Sequence, residues 1–221
     1  MPSYCVRYCL LSEPLNQFDL LARPYRWLEY LVFQNSLEQC RFALLPALAG
    51  CRRVLTIGEG DGRFVAELVR RYPGMNVDCL EGSLAMIERA RARMPQQAAV
   101  TFHHADAIGW NYPTGEYDAV VTCFFLDCFQ ETMLTDWVPH VRSALRPGGF
   151  WAVAEFCEGE SGWRRWRSRF WLGIMYAFFR GLANLEARRL PNWKRLLNGT
   201  GSRVHDEGTM RGGLLEWSIW R

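Results

Sequence analysis

The stretch VLTIGEGDGRF, from Val54 to Phe64, determines the predicted fold. Its apolar first residues are typical of a buried strand. Glycine then stands at every second position, at Gly58, Gly60 and Gly62, and the helical pattern RFVAELVRRY follows at once. A glycine-rich turn between a strand and a helix bends tightly and lets a ligand approach bare main chain. We therefore expect a ligand-binding loop at this turn.

Strands and helices alternate downstream of this loop. The segments MNVDCL, AVTFHH, YDAVVTCFF and FWAVAEF have strand character, and SLAMIERARARM is a helix with Ser83 well placed to cap it. The helix ETMLTDWVPHVRSAL is expected to be kinked or interrupted near Pro139, and Arg146-Pro-Gly-Gly suits a type II turn. This alternation predicts βαβ units and a parallel sheet covered by helices on both faces.

The whole chain of 221 residues, 49% of them hydrophobic, is long enough to bury one full core. We predict a single α/β domain with a Rossmann-like, doubly wound and mostly parallel seven-stranded sheet. It has a helical cap at residues 1–50, a core at 51–156, an aromatic helical insert at 157–200 and a C-terminal β-hairpin at 201–221. Two strand-like segments around Gly212 and Gly213 predict the hairpin.

Composition excludes several classes of function. A formal charge of +3 is too small to indicate a nucleic-acid partner, and the cysteines lack zinc-site spacing, so we expect no metal. The longest apolar run, FWLGIMYAFF, has ten residues, which is half a membrane span. The opening residues lack the apolar run of a secretory signal, which predicts a cytoplasmic protein. The arginine-rich segment at residues 163–180 leaves peripheral membrane contact open.

The spacing of the glycines argues against a dinucleotide. That ligand favours G-x-G-x-x-G, and Arg63 stands where its third glycine would be. Glu59 and Asp61 would also repel a pyrophosphate at the helix N-terminus. A phosphate-binding loop is excluded because no G-K-[ST] follows. A ligand with a cationic end and no phosphate suits these carboxylates better.

Five segments together resemble the class I S-adenosylmethionine-dependent methyltransferases, over about Arg53 to Phe156. VLTIGEGDG is similar to the glycine-rich first motif, and Glu81 ends the second strand as the family's ribose-binding acid does. ADA, YDAVVTCFFLDCF and LRPGGFWAVAEF resemble the segments that follow in the family's order. The N-terminal FDLLARPYRWLEY resembles the cap helix of quinone-type members.

The resemblance implies S-adenosylmethionine as cofactor and S-adenosylhomocysteine as product. Glu81, 19 residues after Gly62, would hold the ribose hydroxyls through charge-assisted hydrogen bonds, and Asp106 would contact the adenine amine. Thr56 replaces the family's usual acid before the first glycine, so contact with the amino-acid end passes to Glu59, Asp61 or Tyr25. The full set of implied cofactor-binding residues is Gly58, Glu59, Gly60, Gly62, Glu81, Gly82, Met86, Asp106, Ala107, Cys123, Phe124 and Tyr25.

Methyl transfer depends mainly on positioning the acceptor and excluding water. A base helps when the acceptor is a phenol, enol or carbon acid, and the candidates are Asp127, His140 and His205. The aromatic N-terminal helix and the insert between Trp163 and Trp193 favour a small apolar or aromatic acceptor, methylated on oxygen or carbon. The insert is a lid, a part of the core or a membrane contact. The oligomeric state stays open.

Two other functions remain open at this stage. A nicotinamide-dependent oxidoreductase shares the βαβ pattern and the strand-end carboxylate, but must tolerate Arg63. A non-catalytic relative that uses the fold for binding is suggested by Thr56 and by the lack of a clear base. NADH binding would favour the first, and cofactor binding without turnover would favour the second.

Overall fold

The computed structural model describes residues 35–157 and 190–221. Its strands are β1 (Arg53–Ile57), β2 (Asn76–Glu81), β3 (Val100–His104), β4 (Tyr117–Cys123), β5 (Leu145–Phe156), β6 (Val204–Met210) and β7 (Leu215–Trp220). Its α-helices are α1 (Ser36–Phe42), α2 (Arg63–Arg71), α3 (Leu84–Arg93), α4 (Glu131–Ser143) and α5 (Trp193–Gly199). Short 3₁₀ helices cover Leu45–Leu48 and Leu126–Cys128.

The strands form one sheet in the order β3-β2-β1-β4-β5-β7-β6. β1 to β5 run parallel, whereas β7 pairs antiparallel with both β5 and β6. The predicted mostly parallel, seven-stranded sheet with a C-terminal hairpin is thereby confirmed. The carboxyl ends of β1 to β5 meet at one edge of the sheet, and the strand order reverses between β1 and β4. That edge is where open α/β sheets bind ligands.

Helices cover both faces of the sheet. On one face, α1 and α2 pack against apolar residues of β1, β4 and β5, with Phe64 and Leu68 of α2 buried. On the other face, α4 and α5 bury Trp137 and Trp193 against Trp151 and Trp220. Helix α2 has its apolar residues one turn apart on a single side, which is why only that side is buried.

Helix α3 begins as the sequence predicts. Ser83 is its N-cap, and the Ser83 hydroxyl accepts a hydrogen bond from the Met86 N–H at 3.3 Å. This contact satisfies one of the amides that every helix leaves without a partner in its first turn. It also fixes the chain directly after Glu81, at the ligand edge of the sheet.

Three local predictions differ from the structure. β4 ends at Cys123 and not at Phe125, because Phe124 has a φ of 53°, outside the strand region. α4 continues through Pro139 as one helix, since Pro139 lies on the exposed side where water can bond the carbonyl that the proline leaves unpaired. β5 begins at Leu145, and the predicted turn is an irregularity within it, with Gly148 at a φ of 79°.

Two predicted segments lie outside the described residues in large part: the first 34 residues of the helical cap and residues 158–189 of the aromatic insert. The domain boundaries and the role of the insert therefore stay predictions. Within residues 35–157 and 190–221, no helix is long and apolar enough to cross a membrane.

Candidate functional site

The three glycines of the loop after β1 all have left-handed backbone angles, with φ of 67°, 69° and 80° at Gly58, Gly60 and Gly62. A Cβ at Gly58 would lie 2.1 Å from the Phe125 ring, and one at Gly62 would lie 2.6 Å from the Cα of Ala90 on α3. A Cβ at Gly60 would meet no atom of residues 35–157 and 190–221 within 4 Å. Gly58 and Gly62 therefore allow close packing of Phe125 and of α3, whereas the space beside Gly60 is open to a ligand.

The two carboxylates of the loop have partners within the protein. Glu59 Oε1 accepts hydrogen bonds from the Phe64 and Val65 amides, at 3.0 and 3.2 Å. The N-cap of α2 is Gly62, which has no side chain, so Glu59 reaches forward to satisfy the first turn. Burial raises the pKa of Glu59 to about 7, against the opposing effects of Arg41 and these amides.

Asp61 forms ion pairs with two arginines. Its Oδ2 lies 3.0 Å from Arg63 Nε and 3.0 Å from Arg93 Nη2, and its carbonyl accepts from Arg93 Nε at 2.8 Å. The loop is thereby tied to α3. The sequence predicts that these carboxylates face a cationic ligand, whereas in the structure Glu59 caps α2 and Asp61 joins the loop to α3.

Glu81 ends β2 beside the loop, as predicted. Its Oε2 accepts from the Gly60 N–H at 2.9 Å, and its Oε1 accepts from the Ser83 N–H at 3.0 Å. Burial raises the pKa of Glu81, and these main-chain hydrogen bonds oppose the rise. A carboxylate has about four lone-pair positions. Glu81 therefore holds the loop in shape, and these two hydrogen bonds leave part of its acceptor capacity for a ligand.

The other predicted cofactor-binding residues lie at the same edge of the sheet. Gly82 follows β2, Met86 lies in the first turn of α3, and Cys123 and Phe124 end β4. Asp106 is exposed after β3, and its Oδ1 accepts from the Ile108 N–H at 3.0 Å. The Ala107 carbonyl accepts from Trp137 Nε1 at 2.9 Å. Tyr25 is outside the described residues.

Of the three predicted bases, only Asp127 lies at the ligand edge. It is buried in the short 3₁₀ helix after β4, and burial raises its pKa to about 6. The Cys128 thiol donates to Asp127 Oδ1 at 3.7 Å. The site thus places a carboxyl group with a raised pKa directly beyond the end of a central strand.

His140 and His205 are corrected by the topology. α4 returns the chain to the start of β5. The carbonyl of its last residue, Ser143, accepts a hydrogen bond from the Gly115 N–H, which precedes β4. His140, in the last turn of α4, therefore lies near the edge of the sheet opposite to the ligand edge. His205 is the second residue of β6. The first residue of β6, Val204, pairs with Trp220, and Trp220 pairs with Trp151 near the start of the buried part of β5. His205 therefore lies close to the end of the sheet where β5 begins. Both side chains are exposed. Neither histidine lies at the ligand edge.

Two residues at this edge were missed by the sequence analysis. The Phe125 ring covers Gly58 and packs against Phe129, with the ring centroids 4.9 Å apart. Glu155, at the end of β5, is fully buried and accepts main-chain hydrogen bonds from Phe125 and Leu126. The sequence does carry a signal for Glu155, since it is the one charged residue in the apolar run FWAVAEF.

Comparison with known proteins agrees with this arrangement. A family model described as a methyltransferase domain matches residues 54–149. The fold is also similar to that of the S-adenosylmethionine-dependent methyltransferase SibL in its apo form, with a TM-score of 0.65, 20% identity, and coverage of 91% of this chain and 57% of SibL. The predicted resemblance to the class I S-adenosylmethionine-dependent methyltransferases is thereby confirmed, with the family model covering residues 54–149. The cofactor of that family is S-adenosylmethionine.

Two further proteins are informative for this methyltransferase domain. A demethylmenaquinone methyltransferase of Deinococcus radiodurans is 32% identical over 124 residues, which are 55% of this chain and 51% of the relative. A 1,6-didemethyltoxoflavin-N1-methyltransferase of Burkholderia thailandensis, solved with 1,6-didemethyltoxoflavin and S-adenosylhomocysteine, has a TM-score of 0.63 at 14% identity, over 93% of this chain and 86% of that one. The chain spans about half the length of the curated relatives it matches.

Proposed function

We propose that this protein transfers a methyl group from S-adenosylmethionine to a small apolar or aromatic acceptor, on oxygen or carbon. The observation that carries the proposal is the contact between Glu59 and the first turn of α2. In a dinucleotide site the first-turn amides of this helix bind the pyrophosphate. Here a carboxylate of the protein itself already accepts from Phe64 and Val65. The glycine loop therefore suits a ligand that has no phosphate.

The residues present fit S-adenosylmethionine. The remaining acceptor positions of Glu81 suit the two hydroxyls of a ribose, because a carboxylate binds a vicinal diol through two charge-assisted hydrogen bonds. The open space over Gly60, beside Glu81 Oε2, leaves room for the ligand against main chain. Gly82, Met86, Asp106 and Ala107 would line the adenine side, and Cys123 and Phe124 the side of β4.

The chain contributes to the reaction mainly by binding, orienting and excluding water. When bound, the cofactor supplies a methyl group that is electrophilic because it is attached to a sulfonium. Glu81 and the glycine loop would fix the ribose at β2, which directs the other end of the ligand toward β4. A nucleophile held beyond β4 would then be placed for in-line attack on that methyl group, and correct positioning alone lowers such a barrier substantially.

Aromatic side chains beyond β4 support an apolar or aromatic acceptor. The half-buried Phe125 ring lies 4.9 Å from the Phe129 ring, centroid to centroid, and it covers the buried Trp137 at 5.7 Å. Planar substrates pack well on such surfaces. The demethylmenaquinone methyltransferase relative acts, by its name, on a quinone, which is an acceptor of this kind. Closure by the insert, membrane contact through residues 163–180 and a cytoplasmic location remain predictions.

Calorimetric titration with S-adenosylhomocysteine tests the proposal, with NADH as the control ligand. We expect saturable binding of S-adenosylhomocysteine and none of NADH. Radiolabelled methyl transfer should then be screened over naphthoquinols, phenols and small amines. No binding of S-adenosylhomocysteine at millimolar ligand would refute the proposed activity, and binding without turnover on any acceptor would favour the non-catalytic alternative.

A further inference from the structure

A carboxyl group that the proposed cofactor site does not use lies at the end of β5. Glu155 is fully buried, and its Oε1 accepts from the Phe125 and Leu126 amides at 2.8 and 2.7 Å. Its Oε2 is buried and has no hydrogen-bond partner among residues 35–157 and 190–221. A buried polar atom without a partner is costly and calls for a functional explanation.

A second carboxyl group stands beside it. Asp127 follows the two residues whose amides bind Glu155, and it is also buried. Burial raises the pKa of both groups, and the charge of Asp127 raises the pKa of Glu155 further. Two carboxyl groups that interact in this way titrate as a pair, so a proton bound by one is shared energetically with the other.

The pair is placed on the reacting side of the proposed site. Phe125, held by Glu155, lies with its ring on Gly58, so the carboxyl pair and the glycine loop flank the same side chain. Glu81 lies on the other side of the loop, at β2. A ligand with its ribose at Glu81 would extend past the loop toward β4 and β5, where its sulfonium would face the pair.

We propose that Glu155, together with Asp127, takes up the proton that the acceptor loses when it is methylated, with Glu155 Oε2 as the receiving atom. The inference rests on the proposed methyl transfer. The bond between sulfur and methyl breaks, the bond between acceptor and methyl forms, and the bond between acceptor and hydrogen gives its proton to the pair. The pair thereby gains one proton, which passes to solvent afterwards. This chemistry selects acceptors that arrive protonated, such as un-ionised phenols, quinols or carbon acids.

Other titratable groups face the pair from the surrounding elements. Glu216 on β7 is the cross-strand partner of Glu155, and its charge is balanced by Lys194 of α5 at 2.5 Å. The thiols that interact electrostatically with Glu155 are Cys40 of α1, Cys123 of β4 and Cys128 of the 3₁₀ helix. Burial raises the pKa of the Cys40 thiol to about 12, so it stays neutral near pH 7.

The variant Glu155→Gln tests the proposal because it separates the role of Oε1, which accepts the two main-chain hydrogen bonds, from the role of Oε2, which takes up the proton. Its amide oxygen still accepts from Phe125 and Leu126, but its amide nitrogen cannot take up a proton. The probes, assayed at about pH 8, are 2-naphthol, which is mostly protonated at that pH, and 4-nitrophenol, which is largely ionised. We expect unchanged affinity for S-adenosylhomocysteine, a loss of about 100-fold or more in kcat with 2-naphthol, and nearly normal kcat with 4-nitrophenol. Glu216→Gln is the matched control and should leave the ratio of the two rates unchanged.

Equal loss with both probes would overturn the proposal, because it would indicate that Glu155 only holds the loop. Infrared difference spectra of the ligand-free protein with labelled Glu and Asp carboxyls, between about pH 5 and 9, give an answer without turnover. A protonated carboxyl band that disappears in Glu155→Gln supports the pair, and a set of protonated carboxyl bands that this variant leaves unchanged refutes it. Failure of the methyltransferase activity itself is distinguishable, since wild-type protein would then either not bind S-adenosylhomocysteine or bind it without methylating either probe.

Discussion

The glycines of the ligand loop differ in what a side chain would meet at each position. Gly60 faces open space next to Glu81, whereas a Cβ at Gly62 would lie 2.6 Å from the Ala90 backbone. Both have positive φ, which costs a residue with a side chain about 1–2 kcal/mol. Because this backbone strain is the same at both positions, any further difference between substitutions at Gly60 and Gly62 comes from lost ligand space at Gly60 or from altered packing of α3 at Gly62.

Gly60→Val and Gly62→Val should therefore fail in different ways. We expect Gly60→Val to remain folded, with a small fall in Tm, and to lose binding of S-adenosylhomocysteine because the new side chain fills the ligand space. Gly62→Val should lower Tm far more, since overpacking against Ala90 adds about 1–3 kcal/mol to the backbone strain. Thermal melts and calorimetric titrations measure both effects. Full binding by Gly60→Val would show that this turn is structural only.

Glu81 combines two tasks in one side chain, holding Gly60 and binding ribose. Glu81→Ala should weaken binding of S-adenosylhomocysteine by at least about 10-fold, because each charge-assisted hydrogen bond is worth about 1.5–3 kcal/mol. Glu88→Ala, an exposed carboxylate on α3, is the control and should bind normally. The titrations should be paired with circular dichroism. An affinity within twofold of wild type in a folded Glu81→Ala protein would place the ribose elsewhere.

At the scale of secondary-structure elements, α2 begins in an unusual way. Its N-cap is a glycine with a φ of 80°, and the capping group is Glu59, which precedes the helix by several residues. Burial holds the pKa of Glu59 at about 7, above its ordinary 4.5. A raised pKa in the folded state means that the folded protein binds the proton more tightly than the unfolded chain does. The stabilising contribution is complete below about pH 4.5 and declines as pH rises to about 7.

Glu59→Gln removes this titration, which gives a test with a defined sign. The difference in free energy of unfolding, wild type minus variant, should fall as pH rises from about 4.5 to 7 and then level off. Glu67→Gln on the same helix is the control of opposite sign, because Arg71 and Arg70 hold the pKa of Glu67 below its usual value. Urea denaturation at a series of pH values measures both. A flat difference for Glu59→Gln would mean that Glu59 is solvated in the folded state.

The elements were predictable from sequence where their cause is local. Ser83 caps α3 as its position suggests, and the alternation of apolar segments predicts the parallel strands. The causes that were missed act between distant residues. The contact of Phe125 with Gly58 and the hydrogen bonds of Glu155 join β5, β4 and β1, and no periodicity in one segment reports such contacts. For the same reason, spacing could not show that His140 and His205 lie at the wrong edge.

At the scale of the whole molecule, the C-terminal hairpin closes the β5 side of the sheet. β7 pairs along the buried part of β5, from Trp151 to Phe156, which places Glu216 directly opposite Glu155. Both carboxyl groups are buried. Lys194 of α5 reaches Glu216 Oε1 at 2.5 Å and Glu207 Oε2 at 3.5 Å. One lysine therefore links the helical layer to the hairpin and balances charge next to the proposed catalytic pair.

Lys194→Met should destabilise the molecule by leaving the buried Glu216 carboxylate without its cation. Fully buried pairs cost about 3–5 kcal/mol when one partner is removed, and Lys194 is partly exposed, so we expect about 2–3 kcal/mol. Lys194 lowers the pKa of Glu216 against the effect of burial, so its loss lets Glu216 protonate more readily. The destabilisation should thus be larger at about pH 8 than at about pH 5. Urea denaturation measures this loss in Lys194→Met, in Lys194→Arg and in the double variant Lys194→Met with Glu216→Gln. The Lys194→Arg protein should keep most of the wild-type stability. The double variant should recover most of the stability that Lys194→Met loses. Equal stability of Lys194→Met and wild type at both pH values would show that packing alone holds the hairpin to α5.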